Sequence, residues 1–244
     1  MLQELIQRRN ELILNKLKED KFYNSGIQKS EAEINELLRF GEYNPIILDF
    51  IKRYNENFSD YNFRLLTNLN DLHLYINHYD ENAPQGYFIN NKLFLSTIDG
   101  TDYNPNDKKM LHVLYREMLH VATYDPKKKG NHYGFCKQVG RCSFAGQMLD
   151  DGYTELLTDR YFSDVTDYNF SKVKKYAENV ERLIGKKRMR DAYFTGDLYS
   201  IQEGLGDYLE EPLKFILDVD HGLIDPNEVL DPIKEKKLKK LVKR

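Results

Sequence analysis

The chain has 244 residues, 41% hydrophobic and 31% charged, with seven prolines and fourteen glycines, a composition that supplies a folded core and excludes a low-complexity tail. Mean hydropathy is −0.68 and no apolar run approaches the ~18 residues of a membrane span, so no span is expected and the chain reads as a soluble cytoplasmic protein. A formal charge of −3 provides no global field that would draw in nucleic acid.

The first sixty residues read as helical. Leu2, Ile6, Leu12, Ile13 and Leu17 fall at helical spacing, and Ser30 with Glu33 forms a capping-box pattern ahead of Leu37 and Leu38. A third helix is expected near Asn44, with Pro45 in its first turn and Ile46, Ile47, Phe50 and Ile51 buried. From Tyr61 to Thr97 the runs FRLLTNL, LHLYINHY, GYFI and KLFLST point to a small sheet. The last two are joined across Asn90-Asn91, a pair that tolerates the positive φ of a tight hairpin turn. Beyond Asn104 helices are expected over 105–124, 143–162, 168–184, 196–208, 210–219 and 226–244, broken at Gly130, Gly134, Gly185, Pro212 and Gly222. There is no internal repeat. The order, helices then a small sheet then helices, predicts an α+β fold, with residues 1–60 as a helical segment packed on a domain spanning 61–244.

Charge is unevenly placed. The last twelve residues, IKEKKLKKLVKR, hold a local +6 and leave the preceding 232 at −9. This tail, 233–244, suits an amphipathic basic helix that could meet an acidic partner, an anionic membrane surface or nucleic acid, although such runs are commonly solvated. No aromatic residue interleaves its lysines, so nucleic-acid binding is not expected. Cys136 and Cys142 are the only cysteines and are expected as free thiols.

Two helices carry the chemistry. The first, LHVLYREMLHVATY, presents Arg116, Glu117 and His120; the second, MLDDGYTELLTDRYF, presents Asp150, Asp151, Gly152 and Glu155. In the motif H-E-x-x-H two histidines one turn apart bind zinc, and the glutamate activates the metal-bound water. Here the string is R-E-M-L-H.

On these residues the sequence resembles the gluzincin-type zinc metallopeptidases and uncharacterised bacterial zincin-like proteins. Those families place a third ligand on a later helix, in an N-E-G-x-x-E or N-E-x-x-x-D pattern, and the zincin-like proteins carry a Gly-Phe loop between the two motifs. Leu149–Glu155 and Gly134-Phe135 match these elements, and the resemblance spans roughly residues 85–165. It implies a zincin-like, mainly antiparallel sheet packed on the Arg116–His120 helix. It puts Glu117 at the general-base position, His120 and Asp151 at ligand positions, and Glu155 in the supporting shell or as an alternative ligand, with Asp159 behind it.

Two departures matter. Arg116 stands at the first ligand position, and a guanidinium has no lone pair to donate to a metal. Asp151 in place of Glu shortens another ligand by about 1.5 Å, one methylene, against zinc–ligand distances near ~2.0–2.2 Å. The expectation is that Arg116 replaces zinc as a structural cation linking the two helices, facing Asp151 first and then Glu155 and Glu117, that no cofactor is bound, and that the protein is a pseudoenzyme with a binding or interaction role toward an unidentified protein or peptide. The alternative is an active zinc peptidase with Glu117 as general base; a third reading is an interaction protein acting through the basic tail. His112 lies about 12 Å along the helix from His120, too far to share an ion. His132 with Cys136 and Cys142 has no structural-zinc spacing, and His73 and His78 flank a strand without a partner that the sequence names.

Overall fold

Ile47, Phe50, Ile51, Tyr54 and Phe58 recur at three- and four-residue spacing and are almost wholly buried. Asn44–Phe58 accordingly winds as helix α1, with one apolar stripe turned inward. The computed structural model describes residues 44–76, 86–95, 104, 106–128, 130, 132–139, 144–162 and 170–242. The helices expected within the first forty residues, His78 and Cys142 lie outside the described residues. The chain divides into two compact units, Met1–Ala122 and Thr123–Arg244. Among the described residues it is mostly helical with two small sheets, an α+β fold.

In the first unit a single 3-10 turn, Ser59–Tyr61, leads into helix α2, Asn62–Asn70. FRLLTNL is therefore helical and not a strand. Leu65, Asn68, Leu69 and Leu72, all buried, follow a period near 3.6, and Asn68 closes the packing by donating Nδ2 to the Val121 carbonyl at 2.7 Å. The sheet has the order β1-β3-β2, from β1 (His73–Ile76), β2 (Gly86–Ile89) and β3 (Lys92–Leu95). The β2–β3 pair is the expected hairpin, with Asn90 and Asn91 at φ 48° and 58°, the left-handed conformations of a tight turn. β1 pairs parallel to β3, so this sheet is mixed. Its core face carries Leu93, Leu95 and Phe88. On the other face Tyr75, Phe94 and Tyr87 stack in cross-strand register, with centroids 4.7 and 4.6 Å apart, the side-chain pairing that fixes a sheet register. Helix α3, Lys108–Thr123, follows. Gly86 lets α3 approach β2: a Cβ there would overlap the Val113 side chain and come within 3.1 Å of Glu117 Cγ.

The second unit opens with a second sheet that the sequence pattern did not reveal: β4 (His132–Tyr133), β5 (Cys136–Gln138) and β6 (Phe144–Ala145), all antiparallel. Strands of two or three residues are too short to show alternation. Helices α4 (Gln147–Tyr161), α5 (Ser171–Ile184), α6 (Lys186–Thr195), α7 (Leu198–Gly206), α8 (Pro212–Asp220) and α9 (Pro226–Val242) complete it. Helix α6 was not expected, because KKRMRDAYFT is largely charged and buries only Met189, Ala192, Tyr193 and Phe194. The core is aromatic. Phe135, Tyr153 and Tyr193 meet at centroid distances of 5.2 to 5.8 Å, and the Tyr193 hydroxyl lies 2.7 Å from Thr154 Oγ1. No described helix is long and apolar enough to cross a membrane.

Candidate functional site

In the first unit, α3 carries the R-E-M-L-H string. Arg116, Glu117 and His120 are 6%, 2% and 5% exposed, so a cation and an anion sit next to each other out of solvent, where each needs a partner. They are partners of each other. Arg116 donates Nε at 3.0 Å and Nη2 at 2.6 Å, both to Glu117 Oε1, and Nη2 also reaches the Gly86 carbonyl on β2 at 3.4 Å. The two residues are consecutive on the helix, and both side chains turn toward β2 because Gly86 leaves space there. Arg116, expected as a cation linking its helix to Asp151 on the next, forms an ion pair with Glu117 of its own helix. Gly86 is the member of this cluster that sequence reasoning missed; its signal was a glycine opening an otherwise apolar strand.

The arrangement limits the chemistry. A general base must present a free lone pair to the water or group it deprotonates. Glu117 Oε1 accepts two charge-assisted bonds, short and strong interactions that hold this oxygen on Arg116 and do not involve Oε2. The position that the resemblance would give to a first zinc ligand holds a guanidinium, which is bound to the neighbouring carboxylate. A guanidinium has no lone pair with which to take the first histidine's part in an H-E-x-x-H site.

In the second unit, α4 carries the D-D-G element. Asp150 and Glu155 are fully buried and Asp151 is half-buried. Asp150 binds the Gly-Phe loop: its Oδ1 accepts the Phe135 N–H at 2.7 Å. Gly134 makes this possible, since its φ of +46° and the nearness of Asp150 Oδ1 leave no room for a Cβ. The glycine of D-D-G has a packing reason too. A Cβ on Gly152 would overlap the Val173 carbonyl oxygen of α5 and sit 2.5 Å from its carbon. The two sequence elements singled out in this unit, Gly134-Phe135 and Asp150–Gly152, are therefore joined by one hydrogen bond and one close helix crossing.

Helix α4 starts at Gly146, which has no side chain to cap it. Asp220, at the end of α8, supplies the cap, accepting Gly146 N at 2.6 Å and Met148 N at 2.9 Å. Burial pushes its carboxyl above the usual range against the pull of these two bonds. Farther along α4, Arg160 binds both Glu181 oxygens on α5 at 2.8 and 2.7 Å. Neither Asp220 nor Glu181 carries a sequence signal, because each acts on α4 from a distant part of the chain.

Cys136 is a buried free thiol, raised far above its ordinary pKa by burial and then by the charge of Asp150, hence unreactive. His112 is buried within α3, His132 lies on β4, and His73 is exposed on β1. A cavity of about 480 Å³ lined by Arg188, Asp191, Asp197 and Ser200 contains none of the expected site residues. Its charged groups are already engaged: Arg188 with Glu203, Lys187 with Asp191, and Asp197 with Ser200. Comparison with protein-family models, with characterised proteins and with solved structures yields no match.

Proposed function

We propose that this chain is a zincin-like metallopeptidase homologue that has exchanged its metal for an internal ion pair, and that it acts by binding a protein or peptide rather than by hydrolysis. The observation that carries the reading is the Arg116–Glu117 contact, in which the first-ligand position supplies a guanidinium and the general-base position supplies its counter-ion. The linkage of Gly134-Phe135 to Asp150 supports the zincin-like resemblance, because it ties together two of the elements on which that resemblance rests. A cytoplasmic setting accords with the buried free thiol of Cys136, since thiols persist in reducing compartments.

Metal content decides the matter. Protein purified without chelators is expected to contain no stoichiometric zinc and to hydrolyse no peptide substrate. The double change Arg116→His with Asp151→Glu restores the ligand types and is expected to confer zinc binding, measured by elemental analysis and by a metal-dependent rise in melting temperature. Stoichiometric zinc in the unaltered protein, together with peptidase activity that Glu117→Gln abolishes, would instead establish the active-enzyme alternative.

A further inference from the structure

Helix α9 holds the charged C-terminal run, and between Asn227 and Lys237 it meets α5 largely through polar side chains. Asn227, Leu230, Asp231, Lys234 and Lys237 fall on this face at helical spacing, and Leu230 is fully buried. The centre of the seam is one carboxylate. Asp231 receives Lys175 Nζ at 2.6 Å, Lys234 Nζ at 2.8 Å and Asn179 Nδ2 at 3.0 Å. Lys234 also donates to Asn179 Oδ1 at 2.9 Å. At the far end Lys237 donates to the Arg182 and Leu183 carbonyls at 3.2 and 2.7 Å, groups in the last turn of α5 that lack intrahelical partners and favour a cation.

We propose that α9 is a reversible strap, docked on α5 through this Asp231-centred polar seam and released by salt as a unit while α4 and α5 stay folded. Its attachment differs in kind from the packing beneath it. Helix α5 turns Tyr176, Ala177, Val180 and Leu183 into the core, an apolar contact that salt does not weaken. The ion pair at the centre of the seam is water-accessible, with the Lys175 side chain 51% and Asp231 32% exposed. Ion pairs in such positions contribute little each and are screened by added salt, so α9 belongs to the part of the unit that opens first. Acid acts later than salt. The charged groups facing Asp231 are Lys175 from α5 and Lys234 from its own helix, and together they hold its carboxyl well below the usual range. While docked, Lys234 and Lys237 are committed to α5. On release both ammonium groups return to solvent. This inference is independent of the role given to Arg116.

Amide hydrogen exchange on the full chain tests it, at fixed pH with sodium chloride varied from about 0.05 to 1 M. Amides of 226–242 are expected to exchange at least roughly tenfold faster at high salt, and equally fast at low salt in Asp231→Asn, while those of 149–158 and 176–183 hold their protection. Lys237→Ala is expected to give the same pattern, which guards against a local defect peculiar to position 231. Protection of α9 that is unaffected by salt and by both substitutions overturns the proposal. So does exchange of α9 and α5 at a common rate, which would mean that they open only together.

Discussion

Replacing Gly152 by alanine adds a single methyl group at the place where α4 and α5 come closest. The new Cβ would overlap the Val173 carbonyl oxygen, lie 2.5 Å from the carbonyl carbon and 3.2 Å from Ala177 Cβ, where ordinary contact begins at 3.4 Å. The obstructing atoms are backbone atoms of a helix and have no rotamer to escape into. Helix α5 must therefore back away by about 1 Å over the turn that seats Tyr176, Ala177 and Val180, in a core packed at crystal-like density. Overpacking of this kind costs ~1–3 kcal/mol and occasionally more; a rigid neighbour puts Gly152→Ala at about 3 kcal/mol. For a chain of this size that is a fall of about 6–12 °C in melting temperature, readable by calorimetry or circular dichroism. Gly206→Ala is the control. Gly206 ends α7 with nothing within 4 Å of its would-be Cβ, so the substitution should be neutral or stabilising by about 0.5–1 kcal/mol. Melting of Gly152→Ala within about 2 °C of the unaltered protein would refute the close crossing and, with it, the reason given for glycine in the D-D-G element.

Two further outcomes follow from the same geometry. Arg116→Met and Glu117→Gln each strand a partner of a buried ion pair and should destabilise by about 3–5 kcal/mol, whereas the double variant should recover most of that loss; simple additivity in urea unfolding would show that the pair is not coupled. Asp220→Ala removes the cap of α4 and should cost about 1–2 kcal/mol. Asp220→Asn tests the charge separately. A carboxyl raised by burial binds its proton more tightly folded than unfolded, so its contribution is greatest below ~pH 4 and is lost as pH rises through the folded value. The Asn variant should flatten that decline, and an unchanged stability–pH curve would contradict it.

Sequence alone determined what depends on neighbours along the chain. Helical periodicity located α1, α3, α4, α5, α7, α8 and α9 to within a few residues, and Asn90-Asn91 specified the hairpin, because a residue's spacing and its φ tolerance are local properties. The same locality accounts for the misreadings. FRLLTNL is rich enough in Leu and Phe to suggest a strand, and only its buried face reveals the helical period; β4 to β6 are too short to carry a period at all. At the candidate site the sequence showed that Arg116 cannot ligate a metal, which is a matter of its chemistry. The tertiary structure decided what that guanidinium does instead: Gly86, thirty residues earlier, opens the space in which Arg116 closes on Glu117. It likewise put Asp220 at the head of α4 from 74 residues beyond Gly146, and turned two lysines of an apparently solvated tail into the attachments of α9. Contacts between distant segments are set by how whole elements pack, and no local pattern records them.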